Sequence, residues 1–139
     1  DGERGFSSSP RSARYGTLST QQCLSDSEGT LIIAQIESKA AVDSIEDILS
    51  VDGIDGIFIG RADLALSFGL DDPKHALVTR ATEHAMKSAR AAGKIAGIAV
   101  GNVTERDTYA ALGANWIVVG SDQSLLRQAA KAAASCLVV

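Results

Sequence analysis

Apolar residues fall along this chain in four short runs, each followed by a stretch whose apolar positions recur at helical spacing. The runs are Leu31–Ile36, Ile57–Ile59 within GIFIG, Ile95–Val100 and Trp116–Val119. Each is nearly continuous rather than alternating, the pattern of strands buried on both faces of a parallel sheet. After the first run, Ala41, Val42, Ile45, Ile48 and Leu49 step by three and four, predicting one helix over Ser38–Leu49 with Asp43, Glu46 and Asp47 on its outer side. After the second, GRAD leads into LALSFGLDDP, a loop or short helix broken by Gly69 and Pro73. A long helix then runs from about Lys74 to Ala92, with Ala76, Leu77, Ala81, Ala85, Met86 and Ala89 as its seam and Gly93 at the C-terminal cap. The third run is followed by a helix capped near Thr104, with Glu105 and Arg106 in its first turn. Gly120, Ser121 and Asp122 open the last helix, QSLLRQAAKAAASCL, built from good helix formers. Residues 1–29 lack both periods and read mostly as loop, with a short helix over Ser19–Leu24 capped by Ser19 and ended by Ser25–Gly29.

Residues 30–139 thus hold four successive βα units, which is the pattern of half a (β/α)8 TIM barrel or of a small doubly wound sheet standing alone. Four strands cannot close a barrel, and a flat sheet of four leaves an unpaired edge on each side. In both architectures ligands sit at the carboxyl edge of the sheet. Glu37 follows the first strand and Asp63 the second, so both carboxylates emerge at that edge, where two acids suggest a site for a hard cation. Alternation within the first strand puts Gln35 and Glu37 on one face. Plainer roles compete with these. An acid after a strand can cap the next helix, which suits Asp63 better than Glu37, and Gln35 can be a structural amide. Asp122 reads as a helix cap, His84 as a helix-face residue, and Arg4, Arg11 and Arg14 as a solvated loop or an anion contact.

Composition narrows the classes. At 139 residues, 45% hydrophobic and 22% charged, the chain has the size of one globular domain with a substantial core. A net charge of −4 without a basic cluster argues against nucleic acid or an anionic membrane surface as partner. No apolar run approaches the roughly 20 residues that span a bilayer, and the polar start DGERGFSSSP lacks a signal peptide's apolar region. The expected location is the cytoplasm. Cys23 and Cys136 have no metal-type spacing and predict ordinary packing. The first residue is Asp and the first strand comes only near residue 31, as in a part of a longer protein.

Taken together and in one order, GERGFSSSPRSARYG, IIAQIESKAA, VDGIDGIFIGRADLALSFG and LGANWIVVGSDQSLL resemble the HpcH/HpaI family of aldolases, the class II pyruvate aldolases, within a wider group of pyruvate- and phosphoenolpyruvate-handling barrels that includes citrate lyase. The resemblance extends over nearly the whole chain. It implies a (β/α)8 barrel about twice this long, with residues 1–139 as one partial barrel domain carrying the fifth to eighth strands. It also implies a carbon-carbon lyase that cleaves a 4-hydroxy-2-oxo acid to pyruvate and an aldehyde, with a divalent cation, Mg2+, Mn2+ or Co2+, held by Glu37 and Asp63. Substrate contacts are implied for Gln35 and for the backbone N–H groups of Ala62 and Asp63. A homo-oligomer, trimer or hexamer, is implied as well, with the last helix packed across a subunit boundary; the alanine-rich end AAKAAASCLVV, with its apolar tail at 137–139, reads independently as an oligomer contact.

Two departures stand against the pattern. The usual GPAD is GRAD here, with Arg61 in place of proline and either a substrate contact or a surface residue. The family's catalytic histidine and pyruvate-binding arginine belong to the first half of the barrel and have no counterpart in this chain, so the catalytic base is expected outside it. A citrate lyase or malyl-CoA lyase type enzyme is a second reading, although no nucleotide-binding surface is evident. A third is a non-catalytic half-barrel that works by assembly with a partner carrying the other half.

Overall fold

The computed structural model describes residues 5–136, so Arg4 and the tail at 137–139 lie outside the described residues. Two compact units divide the chain, Asp1–Leu31 and Ile32–Val139. In the first, a 3-10 turn covers Arg11–Gly16 and the backbone turns left-handed at Arg14 (φ 47°) and Tyr15 (φ 55°). L side chains resist that conformation by roughly 1–2 kcal/mol per residue. The carbonyl of Pro10 accepts from the amides of Ala13 and Tyr15 at 3.0 and 3.1 Å and holds the turn closed. Helix α1 (Thr20–Glu28) is longer than the sequence pattern suggests. Ser19 and Gln22 satisfy each other's backbone donors in a reciprocal cap, and Gly29, not Ser25, ends the helix.

The second unit is a parallel sheet of β1 (Ile33–Ile36), β2 (Gly56–Ile59), β3 (Ile95–Val100) and β4 (Trp116–Val119), paired in chain order. Register sets the faces. Ile36, Ile59, Ile98 and Ile117 lie side by side in one row, and Gln35, Phe58, Gly97 and Trp116 in the row before it. Because successive rows point to opposite faces, the isoleucines meet the helices while the other row does not. Ile36, Ile57, Ile59, Ala96, Ile98 and Val100 form the core with residues of α2 (Lys39–Asp43), α3 (Ile45–Ser50), α4 (Arg61–Ser67), α5 (Ala76–Ala91) and α6 (Thr104–Ala111). Each fully buried isoleucine contributes about 1.5–3 kcal/mol.

That order decides between the two architectures. Crossovers between parallel strands are right-handed, so a sheet whose order never reverses carries all its helices on one face. A doubly wound sheet needs a reversal, and none occurs within β1-β2-β3-β4. The winding is that of a (β/α)8 barrel interrupted after four units. The face without helices would be the barrel's inside, and there Trp116 is 44% and Val118 40% exposed. Gly97 is required on this face. A Cβ there would lie 2.7 Å from Phe58 Cδ2 and 3.0 Å from Trp116 Cε3, whose rings meet edge to face across it at 5.5 Å.

Other helix boundaries also differ from expectation. The single helix over Ser38–Leu49 is two, α2 and α3, broken at Ser44 (φ −107°, ψ 22°). Val103 holds the N-cap position of α6, and Asn102 before it, not Thr104, supplies the side-chain acceptor, its Oδ1 taking the amides of Thr104 at 3.0 Å and Glu105 at 3.3 Å. Ser121 rather than Asp122 caps α7 (Asp122–Ser135), accepting from the Ser124 amide at 3.1 Å. Asp122 is the first residue of that helix, where its charge favours the N-terminus without capping it.

Candidate functional site

At the carboxyl edge the chain leaves β1 through Glu37, and Ser38 turns it into α2 by accepting from the Ala41 amide at 3.2 Å. The Gln35 amide Nε2 donates directly to Glu37 Oε2. Both residues are exposed on the helix-free face, so strand alternation delivers them together as the sequence predicts. Beside them β2 gives way to Gly60, whose amide donates to the Ile36 carbonyl at 3.0 Å and locks the two strand ends together. A Cβ on Gly60 would stand 3.1 Å from Glu37 Cβ, 3.3 Å from Glu37 Oε2 and 3.4 Å from Gln35 Nε2. Glycine is what allows the glutamate to lie against the start of α4.

Helix α4 carries Ala62 and Asp63 in its first turn. Gly60 offers no side-chain cap, and the first amides of any helix lack partners within it. Ala62 and Asp63 are exposed and line a cavity of about 270 Å³ with Phe58, Ile59, Gly60, Arg61, Pro73 and Ala99. Gln35, Glu37 and Gly60 are thus in mutual contact, with Ala62 and Asp63 two and three residues further along the same rim. Among the described residues no group of three or more His, Cys, Asp or Glu side chains gathers to hold a metal. Glu37 and Asp63, both exposed, carry the oxygen donors that suit Mg2+ or Mn2+, hard cations that keep several waters and take oxygens from a substrate.

The sequence reading missed a cluster built on Arg61, which borders the same cavity. Arg61 is neither a surface residue nor a free cation. Its side chain is 13% exposed, and its Nη2 donates to the Ala99 carbonyl at 3.0 Å and to Glu105 Oε2 at 3.4 Å. Its Nη1 donates to Tyr109 Oη, and its guanidinium carbon stands 4.6 Å from the centre of the Tyr109 ring. Lys74 Nζ reaches Glu105 Oε1 at 2.9 Å. That hydrogen bond holds the Glu105 carboxyl below the usual glutamate range although burial acts the other way, and Glu105 in turn raises Lys74. The replacement of proline by arginine was the one visible signal. Its partners lie far away in sequence, 48 positions off in the case of Tyr109. Of the histidines, His75 caps α5 by accepting from the Leu77 amide at 3.2 Å, and His84 lies on the exposed face of that helix, 3.8 Å from Glu46.

The chain is similar to several known proteins. A 2-keto-3-deoxy-L-rhamnonate aldolase of Klebsiella pneumoniae is 42% identical over 120 residues, 86% of this chain and 45% of that protein. A 4-hydroxy-2-oxo-heptane-1,7-dioate aldolase of Salmonella arizonae is 43% identical over 105 residues, 75% of this chain and 40% of its own length. Among solved structures, an HpcH/HpaI aldolase/citrate lyase family protein from Burkholderia cenocepacia J2315 matches with a TM-score of 0.87 at 31% identity, over 98% of this chain and 53% of that one. The chain spans about half the length of the relatives it matches. The model of one family fits residues 3–129, nearly the whole sequence, and on that match the chain belongs to the HpcH/HpaI aldolase/citrate lyase family.

Proposed function

We propose that this chain is the metal-carrying half of a (β/α)8 aldolase that cleaves a 4-hydroxy-2-oxo acid to pyruvate and an aldehyde. One observation carries the reading: Gln35 and Glu37 are joined and seated against Gly60, at the head of the turn that bears Ala62 and Asp63. The names of the relatives support the reaction class, and the 2-oxo acid is the substrate class they share.

In this reading Glu37 and Asp63 hold a divalent cation, Mg2+, Mn2+ or Co2+. When bound, it supplies Lewis-acid polarisation of the substrate's keto group. Gln35 orients the Glu37 carboxylate through the hydrogen bond it donates, and its amide also faces the pyruvate part of the substrate. The backbone N–H groups of Ala62 and Asp63 receive the substrate carboxylate. Cleavage removes the proton of the 4-hydroxyl, breaks the C3–C4 bond and leaves the electron pair on the pyruvate fragment, which is then protonated at C3. The base for the first of these steps comes from the other four βα units, since His75 and His84 are a helix cap and a helix-face residue.

The helix-free face favours one further reading, in which the chain acts only by closing against another half-barrel. Trp116 and Val118 on that face need a cover. Pyruvate release from 4-hydroxy-2-oxo acids by the full-length protein tests both. Loss of release with a chelator, recovery with Mg2+ or Mn2+, and a drop of at least about a hundredfold in Asp63→Asn support the aldolase. Turnover of acyl-CoA thioesters in place of free 2-oxo acids would assign the protein to the lyases that use CoA, and no turnover of either in the complete barrel would leave assembly as its role.

A further inference from the structure

We propose that Arg61 is a positioning residue that ties the first turn of α4 to β3 and α6 and so fixes the direction in which Asp63 stands. The inference rests on Asp63 being a cation ligand. Helix α4 has only seven residues and no side-chain cap at Gly60, and a helix that short does not hold itself. Its first residue supplies an anchor instead. The planar guanidinium reaches the Ala99 carbonyl at the end of β3, the Tyr109 hydroxyl and the Glu105 carboxylate, and also lies over the Tyr109 ring. Tyr109 is buried, at 8% exposure. Glu105 is held from its far side by Lys74 and accepts from the Gly101 amide at 3.4 Å. The anchor point is therefore itself fixed by three segments, the β3 end, the loop into α6 and the residues just before α5.

Geometry connects this anchor to Asp63. Residues two apart on a helix differ by about 200° around its axis, so Arg61, drawn toward β3 and α6, and Asp63 leave the turn in different directions although both border the same cavity. Holding one side against β3 and α6 sets the rotation of the turn and with it the placement of the Ala62 amide and the Asp63 carboxylate. Both terminal nitrogens of the guanidinium donate to protein groups, Ala99, Tyr109 and Glu105, and through those contacts it acts on the placement of the turn. Proline at the same position would stiffen the same turn by another route, since its ring presets φ near −65° where a helix begins. Lysine would keep the charge and lose the fork that spans Ala99, Tyr109 and Glu105.

Mn2+ affinity, read from the free-ion signal in electron paramagnetic resonance, and amide hydrogen exchange at Leu64 test the proposal in the full-length protein. Arg61→Ala and Arg61→Lys weaken Mn2+ binding about tenfold, the usual cost of losing a group that orients a ligand, and speed exchange at Leu64. Arg61→Pro keeps affinity within about threefold of wild type with slow exchange. Tyr109→Phe, which keeps the ring and the fold, weakens affinity in the same direction by less. Asp63→Asn is the separate control, because wild-type affinity in that variant removes Asp63 as a ligand whatever Arg61 does. With Asp63→Asn defective, unchanged affinity and exchange in Arg61→Ala and Tyr109→Phe overturn the proposal. Equal losses in Arg61→Ala and Arg61→Pro overturn it as well, since backbone placement would then not be what Arg61 provides.

Discussion

Glu105 and Lys74 meet at 2.9 Å beside Arg61, and no local pattern of strand or helix marks them as partners. Their titration is the clearest solution signature of the cluster. The Lys74 hydrogen bond lowers the Glu105 carboxyl, so the stability this carboxylate contributes is present above the ordinary glutamate value near about 4.3 and is lost as pH falls through the lowered one. Lys74, whose value is raised by Glu105, loses its share only in alkali as pH rises through that raised value. Glu105→Gln therefore melts below wild type at neutral pH, and the gap closes below about pH 4; an equal gap at both ends of the range contradicts the pairing. At this scale the sequence was legible where the period of a strand settles the matter. Gln35 and Glu37, two apart, fall on one face and touch. It was illegible for Arg61, whose partners are brought up by β3 and α6 from 38 to 48 positions away.

Strands were easier to read than helix ends. The third and fourth coincide with their apolar runs, and the first two are trimmed or extended by a residue or two, because a strand of a parallel sheet reads as a short continuous apolar run bounded by polar residues and glycine. The helix over Ser38–Leu49 was read as continuous because its apolar stripe is, yet Ser44 breaks it without disturbing the stripe, and Val42, Ile45 and Leu49 all remain in the core. Caps misled for a related reason. The side-chain acceptors at the starts of α6 and α7, Asn102 and Ser121, each sit one or two residues before the polar residue that pattern alone would choose. Packing in the isoleucine row gives a direct test, since Ile98 is fully buried at the centre of the sheet. Ile98→Ala should cost about 2–5 kcal/mol in denaturant unfolding. Thr82 offers the opposite sign. Its hydroxyl is buried without a hydrogen-bond partner, so Thr82→Val should gain about 1 kcal/mol, and a loss instead would mean that the hydroxyl is satisfied.

The whole molecule is defined by a sheet order that never reverses and by relatives about twice as long. Composition and periodicity left a half-barrel and a doubly wound sheet both open, and the resemblance in QIE and GRAD favoured the first. Strand order, which no single sequence prints, separates them on physical grounds. The consequence is a face that needs covering. Trp116, the single tryptophan of the sequence, reports on it, since it lies 44% exposed beside Phe58. Acrylamide should quench it readily in the 139-residue chain and poorly once the other four βα units are joined to it; equal quenching in both contradicts barrel closure over this face. The central claim, that Glu37 and Asp63 grip the same ion, is tested most directly by Mn2+ titration of wild type, Glu37→Gln, Asp63→Asn and the double variant. Each single substitution should weaken binding by at least about tenfold, and the double should lose less than the two losses combined, because either change already dismantles one shared site. Wild-type affinity in either single variant, or losses that add in full, would contradict it.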